Sequence, residues 1–303
     1  MKRRSSQFLE VPEQFSEYAR SRVVVWPLPY ERTTTWGKGT SRGPRAILDA
    51  SAYVEYYDDE LDWEPFHVGI HTLPETDVSD ATEQAGLDQL YENAGRYFSD
   101  GKFILALGGE HSLSTPIIRA AKDKYPDLSV LQIDAHADLR DTYEGTPHSH
   151  ASVMRRVVEI CPAVQVGIRS ISREERDAVS GLPSEIFYAR DIVGNTDWIE
   201  RAVGALTDCV YLTIDVDGFD PAIMPATGTP EPGGLAWYEV LTLIRHLAQT
   251  RKIVGADIVE LMPLEGQHAS DFLCAKLAYK IVSYVFGGGE SKVQGPESEV
   301  GRR

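Results

Sequence analysis

Short apolar runs separated by longer amphipathic stretches set the rhythm of this chain. Eight runs read as strands: "RVVVWPL" near residue 24, "FHVGIHTL" near 69, "KFILALGG" near 105, "LSVLQIDA" near 131, "AVQVGIRS" near 166, "SEIFYARD" near 187, "CVYLTIDV" near 212 and "KIVGADIVE" near 256. Each is short, several are rich in Val and Ile, and polar or Gly-bearing residues bound them. Helices fill the intervals. "STPIIRAAKDKY" opens on Ser114 as an N-cap with Pro116 in the first turn. Residues 237–250 and 271–286 repeat apolar positions at helical spacing. Strands alternating with helices predict an α/β fold, a three-layer α/β/α arrangement around a mainly parallel eight-stranded sheet. The expectation is a single domain over residues 1–303, with its core at about 20–286 and a polar tail over 287–303. The glycines of that tail lack the strand-to-helix context of a phosphate loop.

Composition narrows the partners. With 42% hydrophobic residues, the chain has enough apolar material for a sizeable core. Its formal net charge of −16 argues against a nucleic-acid or anionic-membrane binder and mildly favours a cationic small molecule. Cys161, Cys209 and Cys274 form no CxxC pair and no disulfide framework, which suits a reducing compartment. The start, "MKRRSSQFLEVPEQ", is basic but has no apolar stretch, so it does not read as a secretory signal. No apolar run reaches the length of a membrane span. A cytoplasmic protein is expected.

In open parallel sheets, ligands gather at the carboxyl ends of the strands. There, "LQIDAHADLRD" places Asp134, His136 and Asp138 at alternate positions, which extended backbone would point to one side. "VYLTIDVDGFDP" repeats the spacing with Asp215 and Asp217, and "ILALGGEHS" brings His111 to the rim after two glycines that permit close backbone approach. Carboxylates with imidazoles and no thiolate suit Mn²⁺ or a related cation. Four carboxylates packed together would repel and rise in pKa. Two divalent ions remove that cost, so a binuclear site is the natural account of the set.

"GGEHS", "DAHADLRD", "SHAS", "DVDGFDPAIMPATGTPEPGG" and the N-terminal "TTTWGKGTSRGPRAILDAS" resemble the motifs of the ureohydrolase family, which includes arginases and agmatinases. The resemblance runs from about residue 20 to 286. It implies the α/β/α fold, two Mn²⁺ ions per subunit and a homotrimer or homohexamer. By motif matching, His111, Asp134, Asp138 and Asp215 would hold one or both ions, and His136 and Asp217 would complete the second. Water bridging two cations has a lowered pKa and can attack a guanidinium carbon. The resemblance makes Asp138 the proton carrier to the departing amine. Glu260 in "GADIVELMP" matches the family glutamate that receives the guanidinium, by two parallel N–H bonds. In "TPHSHAS", His150 matches the proton-relay histidine and is preferred to His148 because its Ser-His-Ala context is the matching part.

Other polar residues receive plainer readings. Glu110 is a turn or supporting residue, and Asp220 ties down its own turn. Glu231 either stabilises its loop or positions a bound cation. His67, His71, His246 and His268 lie outside the motifs, and Cys274 belongs to the core. The Ser-His pair of "SHAS" lacks the elbow motif of a serine nucleophile.

For the substrate, the loop "DLRDTYEGTPHSHAS" lacks the arginase-like "SGN" and resembles that of short agmatinases. Agmatine, a dication, would give putrescine and urea. The alternative is a guanidino acid such as 4-guanidinobutyrate, whose carboxylate Arg140 or Arg169 could meet. Arginine stands further off. An inactive metal-binding partner subunit is the reading from another class, although no ligand is missing. The six-residue set opposes a one-zinc deacetylase, and Glu260 beside the metals would repel a phosphate ester.

Overall fold

Val, Ile and Leu crowd the eight runs, and each run contains a strand in the structure, a computed structural model that describes residues 7–79 and 81–287. The strands are β1 Val23–Leu28, β2 Ile70–Thr72, β3 Phe103–Gly108, β4 Leu128–Ile133, β5 Ala163–Ile168, β6 Ser184–Tyr188, β7 Cys209–Asp215 and β8 Lys252–Val259. They form one sheet in the order β2-β1-β3-β8-β7-β4-β5-β6, with every neighbouring pair parallel.

Alternate residues of each strand enter opposite cores. In β1, Val23 and Val25 join one apolar cluster, while Val24, Trp26 and Leu28 join the other. Both faces must therefore be covered. The helices are α1 Gly43–Ser51, α2 Glu83–Ser99, α3 Ser114–Lys124, α4 Val153–Val157, α5 Arg173–Ala178, α6 Ala189–Ile192, α7 Ile199–Gly204, α8 Trp237–Thr250 and α9 Ala269–Gly287. Side chains of α1, α7, α8 and α9 fill the first core; those of α2, α3 and α4 fill the second. Among the described residues, no helix is long and apolar enough to cross a membrane.

Local departures from the sequence reading have simple causes. Ser114 is not an N-cap: a 3-10 turn over His111–Leu113 runs straight into α3, so Ser114 is the first helical residue, and Pro116 keeps its place in the first turn. Only Ile70–Thr72 of "FHVGIHTL" is strand, because Pro65–Val68 winds into a 3-10 turn that ends at Gly69 with φ 81°. Of the expected tail, Gly287 closes α9, and the rest lies outside the described residues.

The strand order sets β3, β8, β7 and β4 side by side in the middle of the sheet. Their carboxyl ends carry His111, Glu260, Asp215 and Asp134 respectively. A side chain on Gly109 would sit 2.1 Å from the Tyr30 carbonyl oxygen. Glycine there lets the 30–33 segment lie against the end of β3, where the Glu110 amide donates to Tyr30 at 2.8 Å.

Candidate metal centre

Asp134, His136 and Asp138 lie just beyond β4, not within it, and Asp138 has a left-handed φ of 51°. Strand alternation therefore does not aim them; a hydrogen-bonded turn does. Asp134 Oδ1 accepts the His136 amide at 2.6 Å. The second pair departs likewise from simple alternation: Asp217 sits in a 3-10 turn over Val216–Gly218, and its amide donates to Asp215 Oδ1 at 2.9 Å. Asp217 Oδ1 in turn accepts the Ala135 amide at 3.0 Å, joining the β4 and β7 loops. Asp215 and Asp217 thus each spend one oxygen on backbone and turn the other toward the centre.

All six expected ligands converge. His111 Nδ1 lies 3.2 Å from Asp134 Oδ2, 3.2 Å from Asp138 Oδ2 and 3.6 Å from Asp215 Oδ2. His136 Nδ1 lies 2.9 Å from Asp217 Oδ2 and 3.7 Å from Asp134 Oδ1. Two groups can each hold a metal ion, His111–Asp134–Asp215 and Asp134–His136–Asp217, with Asp134 common to both. Asp138 borders the first group through His111.

His111 tests the fit. Its Nε2 lies 2.8 Å from the Thr213 hydroxyl, which donates to Asp257 at 2.6 Å. With that proton committed, the Thr213 oxygen accepts from Nε2, and Nδ1 is left facing the centre. Buried Nδ1 has no hydrogen-bond partner among the described residues despite three nearby carboxylates. A cation among those oxygens would take that lone pair. Oxygen-rich ligation by two imidazoles and carboxylates, with no cysteine among them, fits a hard divalent ion.

The electrostatics tell the same story. Burial, then the charges of Asp217, Asp134 and Glu260, pushes Asp215 well above the usual carboxylate range. Burial and Asp134 push Asp138 up to about 7. Burial alone would lower the two imidazoles, but the surrounding carboxylates prevail: Asp134 and Asp138 hold His111 well above its ordinary value, and Asp217 and Asp134 hold His136 up at about 12. Without cations the cluster keeps protons in their place.

A cleft of about 200 Å³ opens over the centre, and Glu260, His150, Arg140 and Trp36 line it beyond the ligands. Glu260 is buried, has φ 64° and accepts the His111 amide at 2.7 Å. Burial, then the charge of Glu110, holds it well above the carboxylate range. His150 lies in a 3-10 turn over His150–Ser152 and faces the cleft; His148 does not line it. Burial, then the charged imidazoles of His136 and His111, holds His150 down at about 4.

Supporting residues explain the placement. Glu110 is buried and accepts the Arg32 amide, the Thr33 amide at 2.5 Å and hydroxyl at 2.8 Å, and the Ser112 hydroxyl at 2.5 Å. Thr33 Oγ1 in turn accepts the His150 amide at 3.0 Å and lies 3.1 Å from His150 Nδ1. A chain of amides also crosses the sheet: Ser184 donates to Gln165, Gln165 to Gln132, and Gln132 to Asp134 at 2.6 Å. Sequence reasoning missed Thr33, Gln132, Gln165, Thr213 and Asp257. Four of these are polar residues inside strands buried on both faces, which need partners there; that was the available signal.

The remaining expectations resolve. Asp220 accepts the amides of Ala222, Gly233 and Gly234 at 2.9, 2.9 and 3.0 Å, so it ties down its loop. Glu231 takes part in its loop through its carbonyl, which accepts from Arg169 at 2.7 Å, and its carboxylate lies 3.9 Å from His136 Nε2. Arg169 donates to six backbone carbonyls, of Gly167, Asp217, Gly218, Phe219, Glu231 and Pro232. Its guanidinium is a loop staple, not a receptor for a distal carboxylate. A larger concavity of about 710 Å³ lies between α8 and α9, but it contains none of the ligating side chains.

A model of the arginase family matches residues 21–283. An N(1)-aminopropylagmatine ureohydrolase from Synechocystis sp. is 45% identical over 92% of this chain and 93% of its own length. An agmatinase from Bacillus anthracis is 35% identical over 82% of this chain and 86% of its own. The crystal structure of the agmatine ureohydrolase of Thermoplasma volcanium superposes with a TM-score of 0.82 at 30% identity, covering 90% of this chain and 92% of that one. Candidate ligands at the ends of β3, β7 and β4 with Glu260 at the end of β8 between them, the cleft above them and these likenesses agree: the chain belongs to the arginase family of hydrolases that act on guanidino compounds.

Proposed function

We propose that the chain hydrolyses the guanidinium of N(1)-aminopropylagmatine, releasing urea and the triamine spermidine. The observation that carries this reading is Glu260: a buried carboxylate beside the ligating set, paired with no cationic side chain among the described residues. Such a group waits for a cation from outside, and a guanidinium fits its two oxygens. The commitment of Arg169 to backbone, and of Arg140 to the Tyr143 ring at 5.2 Å, speaks against a substrate that ends in a carboxylate. The 45% identity to the Synechocystis enzyme supports the longer amine.

His111, Asp134, Asp138 and Asp215 would hold one ion, and His136 and Asp217, with Asp134 shared, would complete the second. Two Mn²⁺ ions held there would supply an activated water. Glu260 orients the guanidinium with its carbon toward that water. Water would add to the guanidinium carbon, and the C–N bond to the amine chain would then break to leave urea. Asp138 carries the water's proton to the departing nitrogen. His150, neutral and presented at the cleft wall by Thr33, relays protons between the site and solvent. Exposed Tyr238 and Phe272 beside the α8–α9 concavity support a homo-oligomer, trimeric or hexameric, which sedimentation would measure.

Agmatine is the second reading, supported by the 35% identity to the Bacillus anthracis enzyme and by a cleft of only about 200 Å³. Urea release by manganese-loaded protein, measured in parallel on N(1)-aminopropylagmatine, agmatine, arginine and 4-guanidinobutyrate, separates them. The highest kcat/KM is expected on the aminopropyl compound. A preference for either carboxylate-bearing substrate sinks the proposal, as does silence on all four with two metals bound.

A further inference from the structure

Trp36 is 84% exposed, yet it lines the mouth of the cleft over the ligating set. Its indole face is therefore open to contact by a ligand that enters the cleft. The loop that carries it is not loose. The Glu31 carboxylate accepts the Gly39 amide at 2.7 Å, the Ser41 amide at 3.1 Å, the Ser41 hydroxyl at 2.8 Å and the Thr34 hydroxyl at 3.2 Å, which clamps both flanks of Trp36. Next to it, a side chain on Gly37 would lie 2.8 Å from Gly228 Cα and 2.9 Å from Met262 Sδ, so the loop presses on the opposite wall. A tied loop is holding an uncovered aromatic face in a fixed place.

Besides the Glu231 carboxylate, 3.9 Å from His136 Nε2, the described residues of the mouth offer a cation little. The carboxylates lining the cleft, Asp138, Asp215, Asp217 and Glu260, all belong to its floor. Tyr143 is engaged: the Arg140 guanidinium lies 5.2 Å from its centroid, and His150 meets it edge-on at 5.7 Å. Among the described residues lining the cleft, the aromatic face left free is that of Trp36. Once the guanidinium is seated on Glu260, the far end of a linear polyamine would extend out through the cleft that Trp36 also lines. We propose that Trp36 is a specificity-determining residue whose indole receives the distal ammonium and propyl arm of the substrate, favouring the aminopropyl compound over agmatine. This rests on the substrate reading above. The attraction is cation–π with apolar contact along the methylenes, and indole is the best side chain for it.

The test is steady-state kinetics of Trp36→Ala and Trp36→Phe, each loaded with manganese, on both amines. Trp36→Ala is expected to lose about tenfold in kcat/KM on N(1)-aminopropylagmatine, mostly through KM, and to stay within about twofold on agmatine. Trp36→Phe, which keeps an aromatic face, should retain most of the preference. A parallel fall on both substrates would make Trp36 a support of the loop and overturn the assignment. Unchanged kinetics on both would overturn it too, leaving the rim to solvent. If the wild type hydrolyses both amines, either result removes this inference alone. A wild type inactive on both removes the substrate reading and this inference together.

Discussion

Two clusters of buried charge lie in this fold, and they obey opposite rules. At the carboxyl ends of the central strands, Asp134, Asp138, Asp215, Asp217 and Glu260 gather around two imidazoles, with no Lys or Arg paired to them among the described residues. Under α9, Lys280 meets Asp58 at 2.8 Å and Glu60 at 3.1 Å, while Arg245 and the Tyr284 hydroxyl each reach Glu60 at 2.6 Å. Burial would raise the acids of both clusters. In the second, Lys280 overrides it at Asp58, and the Tyr284 hydroxyl, then Lys280 and Arg245, override it at Glu60, so both acids fall below their ordinary values. In the first, His111 and His136 do so only for Asp134, which falls below its ordinary value, while burial and neighbouring acids keep Asp215 and Glu260 high. A cluster that closes its own charge serves structure; one left open expects its counter-charge from outside.

The largest effect should come from the shared ligand. Asp134→Asn removes a carboxylate common to both ligating groups, so metal affinity should fall by more than about 100-fold, beyond what a supporting residue contributes. Metal analysis after dialysis, with urea release on the same sample, checks it. Two retained metals and full activity would deny Asp134 its place at the centre. His150→Asn should instead keep both metals and lower kcat by about 10²–10⁴-fold, the usual worth of a positioned proton carrier. His148→Asn should do neither, and reversed outcomes for the two histidines would exchange their roles.

The closed cluster should behave the other way. Lys280→Met strands Asp58 inside the protein, and breaking such a pair costs about 3 kcal/mol of stability. Chemical denaturation should show that loss while metal content and urea release in native buffer stay unchanged. A drop in metal binding without a drop in stability would erase the distinction between the clusters.

Much of this was legible in the sequence because the strands and the ligands announce themselves locally. Short apolar runs, several of them Val- and Ile-rich, marked every strand, and acidic or histidine residues at the ends of some marked the centre. The aim of the ligands was less legible. Alternation in extended chain puts Asp134, His136 and Asp138 on one side, but the strand stops at Ile133 and a turn with a left-handed Asp138 does the work. Nothing local predicts a positive φ at an aspartate. Long-range supports were hidden for a different reason: Thr33 reaches His150 across 117 residues and Gln165 reaches Gln132 across 33, and only the strand order brings such pairs together.

The slope of stability against pH also separates the clusters, by sign. Consider metal-free protein between pH 6.5, the ordinary histidine value, and about pH 9. Folded, Asp138 holds its proton up to about 7, His136 up to about 12, and His111 and Asp215 well above their ordinary values. The unfolded chain has released all of these protons in that window. The native state binds more protons, so stability must fall as pH rises. Other groups contribute elsewhere. Asp58, depressed below 3.8, gives stability that is present above that value and lost only as pH falls through its lower folded one. His150, held down at about 4, gives stability present above 6.5 and lost toward 4. Lys280, raised above 10.5, loses its share only beyond that. The neutral slope therefore belongs to the open cluster. Manganese binds the deprotonated ligands, so its stabilisation should grow with pH, widening the gap between loaded and metal-free melting temperatures. A metal-free melting temperature that rises across the window would mean that the centre does not hold those protons, and that its carboxylates are relieved of one another by some other means.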